Sequence, residues 1–407
     1  MKELTGKYTN ATIYATTIED EAIEQIQTLI NNHMSEGSKI CMMPDAHKGK
    51  GCTIGTAMTI NGKVCPNLVG VDIGCGVLCV KLLNVKKEDL NLAEVDKKIR
   101  GAVPLGFNVH DEEPEWCADI VHKLLGKLTC KDSIENIDRI YKSVGTLGGG
   151  NHYIELNEDS QGCVYLVIHT GSRNLGQQVA TYHQKIAEQE MMKRYETNKK
   201  RIIQDALQQD KMLIEEYIAK HKIEKPTKQD LALAYLTGDK LDDYLKDVAI
   251  VQEYATINRS DIAAGIIEAL GIDGEVQAFE SVHNYVDVKN GILRKGAISA
   301  QDGEPVIIPL NMRDGSILAI GKGNPEWNYS APHGAGRIMS RKKAQQSLSL
   351  EDFERTMSEA GVFTTSVSKQ TLDEAPFVYK NPNDILDVVG DTLEIIEVIK
   401  PIYNLKG

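Results

Sequence analysis

The chain has 407 residues, 42% hydrophobic and 26% charged, which is a globular composition with enough length for one large domain or two to three ordinary ones. Its 46 basic and 58 acidic side chains leave a net charge of −12. That balance argues against a general nucleic-acid coat protein and leaves room only for local basic patches, such as KKR at 199–201 and RKK at 341–343. No apolar run approaches the ~20 residues of a membrane span, and "MKELTGKYTNATIY" has no secretory apolar core, so a cytoplasmic protein without a membrane partner is expected.

Along the chain, β-type alternation in "YTNATIYAT" precedes a predicted helix over "TTIEDEAIEQIQTLINNHMSEG", capped by Thr16 or Thr17 and ended by Gly37. From 38 to 80, short β-branched runs are cut by glycine, which reads as strand and turn. Residues 86–143 are mixed, with helical pieces such as "EWCADIVHKLLGKL". A second glycine-rich strand block follows, "GTLGGGNHYIELN" and "CVYLVIHTGSRNLG". Residues 177–270 form the most helical segment, whose first part is polar enough to project from the body. Strands and glycine turns return over 279–340, a helix is expected near 350–360, and a helix-and-strand segment closes the chain.

Strand blocks alike in texture but split by a helical insertion predict an α+β fold. We expect a single domain over 1–407, with mixed sheets around one site and a helical insertion at about 177–270. The order is too irregular for a (β/α)8 barrel, and no Rossmann or Walker glycine motif is present.

The eight cysteines fall at 41, 52, 65, 75, 79, 117, 130 and 163, with no C-x-x-C pair, which fits free thiols in a reducing compartment. One of them, Cys75 in "VGVDIGCGV" (69–77), raises a question of chemistry, because it shares a glycine-lined turn with Asp72. Taken alone, that is a tight turn with a small buried thiol. The histidines change the weighing. His33, His110, His122, His183 and His221 lie in helical or charged contexts and read as solvated or lightly packed. His47, His152, His169, His283 and His333 lie inside the strand-and-glycine blocks, at the strand ends where folds hold catalytic side chains. Together with Asp72 and Cys75 they make one dispersed set of thiolate, carboxylate and imidazole donors. That set suits first-row metals such as Mn²⁺ or Zn²⁺, and it is too scattered and too numerous for a closed structural zinc site. It favours a catalytic site, with two metals as an option.

Three stretches point at phosphate: "HTGSRN" (169–174), "PHGAGRIMSR" (332–341), and "RKGAISA" with Arg294 and Lys295. Arginine forks and glycine-exposed amides bind phosphate oxygens. His333 in that setting suits a ligand, a general base or a nucleophile, and residue type does not rank the three.

"MPDAHKGKGCTIGT", "VGVDIGCGV", "GTLGGGNHYIE", "IHTGSRNLG", "HNYV", "RKGAISA", "HGAGRIMSR" and the last "LKG", in this order, resemble the RtcB family of GTP-dependent RNA ligases from about residue 40 onward. The resemblance implies an RNA ligase of repair or tRNA splicing that joins 2′,3′-cyclic phosphate or 3′-phosphate ends to 5′-hydroxyl ends. It also implies a histidine–GMP intermediate and an RNA end activated by GMP, with RNA and GTP as partners, two Mn²⁺ ions, and in some members an archease-like activator. By the same resemblance, Asp72, Cys75, His152, His169 and His283 are metal ligands and His333 is the nucleophile. Cys75 would bridge the ions, with His152 and His169 on one and Asp72 and His283 on the other. Asn151, Glu155, His283, Asn284 and the amides of Gly334, Ala335 and Gly336 would hold the nucleotide, with Lys406 at the guanine. Arg173 and Arg337 are candidates for phosphate or RNA backbone.

One segment departs from the pattern: where relatives commonly read PGSM, this chain reads PLNM (309–312). A leucine cannot reproduce the close backbone approach of a glycine, which leaves Pro309, Asn311, Met312 and Ser316 as the contact candidates there. Two alternatives use the same residues: a metal-dependent cyclic-phosphate hydrolase and a non-catalytic RNA-end sensor.

Overall fold

The computed structural model describes residues 1–49, 51–208, 214–221 and 224–407. Strands β1 (Lys2–Thr5) and β2 (Asn10–Ile13) lead into helix α1 (Asp20–Ile30) and then β3 (Ile40–His47), β4 (Ile54–Thr59) and β5 (Gly76–Leu82). Helices α2 (Leu92–Ala102), α3 (Glu115–Leu125) and α4 (Ile137–Tyr141) precede β6 (Tyr153–Glu158) and β7 (Val164–Thr170). Next come α5 (Arg173–Leu207), α6 (Ile214–His221), α7 (Lys228–Ala232) and α8 (Asp239–Leu270). Strands β8 (Val276–Val282), β9 (Asn284–Asp287), β10 (Ile292–Lys295), β11 (Ala297–Ser299), β12 (Pro305–Asn311), β13 (Gly315–Gly321) and β14 (Ser330–Pro332) follow. The chain closes with α9 (Arg341–Ser347), α10 (Leu350–Glu359), β15 (Phe363–Thr364), α11 (Asn383–Leu386) and β16 (Leu393–Lys406). The fold is α+β, as expected.

Strands order as β1-β2-β3-β4-β10-β9 in one sheet and β12-β13-β16-β6-β7-β5-β8 in another, with β11-β14 as a separate pair. The first sheet buries Ile13, Ile40, Met42 and Met58 against α1 and a helical layer that includes Val179 of α5 and Val251 of α8. The second buries Leu78, Val80, Ile154, Leu166 and Ile168 against α2 and α8. Strands β5, β6 and β7 lack a clean polar alternation because both faces are covered, Val77, Cys79 and Val167 packing on the opposite side with Ile307 and Ile399.

Helix α1 is shorter than its sequence suggests. It starts after Glu19, not at Thr16 or Thr17, and stops at Ile30 once Ala22, Ile26 and Ile30 have reached the core. Asn32 then caps a short turn over His33–Ser35 by accepting from the Met34 amide, and Gly37 follows at φ +73°. The helical stretch begins at Arg173, four residues before the expected 177, directly off β7. In α5, side chains from Leu175 to Ala187 face the core, and beyond them burial is confined to Ala206, so the polar second half does stand out from the body. Among the described residues, no helix is long and apolar enough to cross a membrane.

Candidate active site

Antiparallel pairing gathers the candidate ligands at one sheet end. Strand β7 lies between β5 and β6, with His169 opposite Val77 on one side and Tyr153 on the other. Cys75 immediately precedes β5, His152 precedes β6, and His283 follows β8, its amide donating to the Cys75 carbonyl at 2.9 Å. Four ligands scattered from residue 75 to residue 283 thus share one edge because their strands end there.

The side chains converge. Cys75 Sγ lies 3.3 Å from His169 Nε2 and 3.7 Å from His152 Nε2, His152 Nε2 lies 3.0 Å from Asp72 Oδ2, and His169 Nε2 lies 3.2 Å from His283 Nε2. The donors fall into two groups that share Cys75: Cys75–His169–His283 and Asp72–Cys75–His152. This corrects the expected division, which put His152 with His169 and Asp72 with His283. The physical reason is that His169 and His283 enter from strands flanking β5, while His152 is turned toward the loop that carries Asp72.

Donor chemistry fits a cation. The carbonyls of Leu147 (2.9 Å) and Asn151 (3.1 Å) accept from Nδ1–H of His152 and His169, which leaves both Nε2 lone pairs aimed at Cys75. Burial first, then the surrounding positive charge, pushes His169 and His283 well below the usual imidazole range, so they sit neutral. Burial, then Asp72, pushes the Cys75 thiol well up. A thiolate there needs a cation beside it. Burial opposes ionisation of Asp72, but the His152 ring, its Nε2 3.0 Å from Oδ2, outweighs burial and holds the carboxyl below its ordinary value.

Gly171 shows how tightly the turn is fitted. A Cβ there would stand 2.2 Å from Asp72 Oδ1. The anchor of the whole turn is Arg259 of α8, fully buried, whose guanidinium donates to Gly74 O (2.8 Å), Thr170 O (3.0 Å) and Glu280 Oε2 (2.7 Å). Asn258 beside it donates to Gly171 O at 3.0 Å. Both lie in the segment that reads from sequence as an insertion, and nothing in the sequence around them signals a link to the site.

A cavity of about 500 Å³ opens from the His169–His283 side. Asn151, Glu155, Pro309, Asn311, Met312, Gly334, Ala335, Gly336 and Lys406 line it, together with His333. Asn284 and Ser316 are not part of its wall. The Asn284 side-chain carbonyl instead accepts from Gly296 N at 3.0 Å, and Ser316 is fully buried in β13 opposite Pro309. Asn311 is turned back on its own hairpin: its Oδ1 accepts from the Arg313 and Asp314 amides (3.0 and 2.9 Å) and its Nδ2 donates to Asp314 (2.7 Å). Leu310 drops into the apolar cluster of Ile298, Ile308 and Ala335 and so takes up the bulk that glycine would lack.

His333 follows β14, its ring centroid 5.0 Å from that of His283. Its Nδ1 is 2.6 Å from Asp45 Oδ2. Asp45 is fully buried on β3, and Gly336 (φ +77°) presses on it so closely that a Cβ would stand 2.5 Å from the Asp45 carbonyl. Asp45, the partner that His333 finds in the fold, lies in "MPDAHKGKG", where only His47 was singled out from sequence. His47 lines the cavity but belongs to neither donor group, its Nδ1 lying 2.8 Å from the Asp45 carbonyl.

At the far end, Glu374 collects Lys406 (3.2 Å), Arg337 (3.3 Å), Arg341 (2.6 Å) and the Tyr379 hydroxyl (2.6 Å). Burial opposes its charge, but these partners bring its carboxyl down to about 2. Glu155 shows the opposite balance: burial, against Lys406 and the Asn404 amide, raises it to about 7. Sequence gave no sign of Glu374. Arg337, expected to be free for phosphate, is held by Glu374 and the Asp373 and Met339 carbonyls. Arg294 and Lys295 are structural too: Arg294 is buried on Asp287 (3.2 Å), and Lys295 donates to Asn67 O (2.8 Å). His183, expected to be solvated or lightly packed, is buried at 2.8 Å from Asp247, whose oxygens also accept from Thr129 and Cys130.

His333 thus stands beside a cluster of five donors. A family model described as tRNA-splicing ligase RtcB matches residues 28–407. The chain belongs to the RtcB family. It is 32% identical to the RNA-splicing ligase RtcB of Escherichia coli (strain K12), over 90% of each chain. It is also 32% identical to the RNA-splicing ligase RtcB1 of a second Escherichia coli strain (ATCC 25922), again over 90% of each.

Proposed function

We propose that this RtcB-family protein is a GTP-dependent RNA ligase, its whole length serving one catalytic site, that joins 2′,3′-cyclic phosphate or 3′-phosphate ends to 5′-hydroxyl ends in RNA repair or tRNA splicing. The observation that carries the reading is the 2.6 Å contact of His333 Nδ1 with buried Asp45, on the wall of a nucleotide-sized cavity that touches the donor cluster. Asp45 accepts from Nδ1–H, so the Nε2 lone pair is the free one. Nε2 attacks the α-phosphorus of GTP: an N–P bond forms, the bond to the β-phosphate oxygen breaks, and pyrophosphate leaves. The RNA 3′-phosphate then takes GMP from His333, and the 5′-hydroxyl oxygen attacks the activated phosphate and releases GMP. A cyclic end is first opened by water to the 3′-phosphate.

Asp72, Cys75 and His152 would hold one Mn²⁺ and Cys75, His169 and His283 a second. Bound there, the ions supply Lewis-acid neutralisation of the phosphate charge. Glu155 and Lys406 are placed to meet the base, and the Gly334–Gly336 backbone to meet phosphate oxygens. The eight unpaired cysteines suit a reducing, cytoplasmic setting.

Labelled GTP with Mn²⁺ should leave a covalent GMP adduct on the wild type and none on His333→Ala. Cyclic-phosphate RNA opened without GTP, and never joined, would replace this reading with the hydrolase.

A further inference from the structure

Phe107 is 94% exposed, although it sits beside the busiest part of the protein. The turn that shows it is fixed at several points. Asn108 N donates to Leu105 O at 3.1 Å and closes the turn. Gly106 N donates to Gly148 O at 2.9 Å, four residues before His152. Arg173 Nη2 donates to Gly106 O at 3.1 Å, and the Arg139 guanidinium donates to the Phe107 carbonyl. An aromatic ring is therefore held in solvent by a braced backbone, at the rim of the glycine turn that carries Asn151 and His152.

Two arginines, Arg173 and Arg139, hold the backbone of this turn through the Gly106 and Phe107 carbonyls. Neither makes an ion pair among the described residues, whereas the nearest acid on α4, Asp138, is engaged by Lys142 at 3.1 Å. Gly149 and Gly150 alongside are exposed and leave the backbone open to a close approach. In a protein of net charge −12, two arginines outside any ion pair among the described residues, next to a free aromatic face, match a polyanion that carries flat bases.

We propose that Phe107 is a stacking platform for an unpaired RNA base next to the end being joined, with Arg139 on the adjoining phosphate. The proposal rests on the ligase reading for its substrate class, but it concerns RNA binding and not the chemistry at His333. An exposed ring stacks on any base and so adds affinity without sequence choice.

The test uses the full chain, GTP with Mn²⁺, and a single-stranded oligoribonucleotide with a 3′-phosphate and a 5′-hydroxyl. Phe107→Ala should weaken RNA binding by fluorescence anisotropy about tenfold, and Phe107→Trp should restore it. GTP labelling of His333 should be the same in both variants and the wild type. Arg139→Gln should weaken binding and flatten its salt dependence. Equal RNA affinity of wild type and Phe107→Ala overturns the proposal. If the wild type binds RNA through Phe107 yet forms no GMP adduct, the ligase reading fails and the platform stands.

Discussion

At the residue scale, Glu374 and Glu155 show what burial does to a carboxyl with and without a ring of cations around it. Asp45 fixes which nitrogen of His333 is free. Asp45→Asn keeps the shape but removes the charge and weakens the choice of tautomer, so the single-turnover rate of GMP-adduct formation should fall by about 10²-fold or more, with GTP affinity nearly unchanged. Glu155, raised to about 7, is held protonated in the fold against an ordinary value of 4.5. A raised carboxyl contributes stability in full below its unfolded value and loses it as pH rises through its folded value. Glu155→Gln should therefore melt with the wild type near pH 4 and above it past pH 7, by an amount on the order of 3 kcal/mol at most. Thermal melts across that range decide it. Glu374 has the reverse sign. Its carboxyl is lowered to about 2, so its contribution is present above 4.5 and fades as pH falls toward 2. Glu374→Gln strips the charge that Lys406, Arg337 and Arg341 share, and should cost about 3–5 kcal/mol at neutral pH.

At the element scale, the site depends on strand ends held in register by a helix outside the sheet. Arg259 of α8 bridges the carbonyls that follow Ile73 and His169, which fixes the Cys75 turn to the end of β7. Arg259→Met would leave both carbonyls and Glu280 without their cation. Manganese affinity by isothermal titration should drop at least tenfold while the far-UV circular dichroism is retained. Sequence showed the strand-and-glycine texture of the ligand turns, and it showed α5 and α8 as helices by their length and period. It could not show that α8 serves the site, because Asn258 and Arg259 sit on an ordinary amphipathic helix and act across the fold. The start of α1 was misplaced for a related reason: a threonine caps only if its side chain reaches the first amides, and the core contacts of Ala22 and Ile26 set the helix start at Asp20 instead.

At the scale of the whole molecule, the donor cluster joins segments of the chain from Asp72 to His283, so an ion bound there ties β5, β6, β7 and β8 together. Mn²⁺ at a hundred times its dissociation constant should add about 2.7 kcal/mol per site and raise the melting temperature by a few degrees. Cys75→Ala should lose most of that gain, since both donor groups contain Cys75.

The sequence by itself determined the α+β class, the family motifs and a candidate set of seven side chains that contains the five clustered donors, because glycine turns, β-branched runs and histidines at strand ends are local features with local causes. The tertiary structure decided which donors stand together, that Asp45 is the partner of His333, that Asn311 and Arg337 are spent on their neighbours, and that Glu374 gathers the cations behind Lys406. Those outcomes come from pairing register and from which charges meet in the buried interior, and both are set by contacts between residues far apart in the chain.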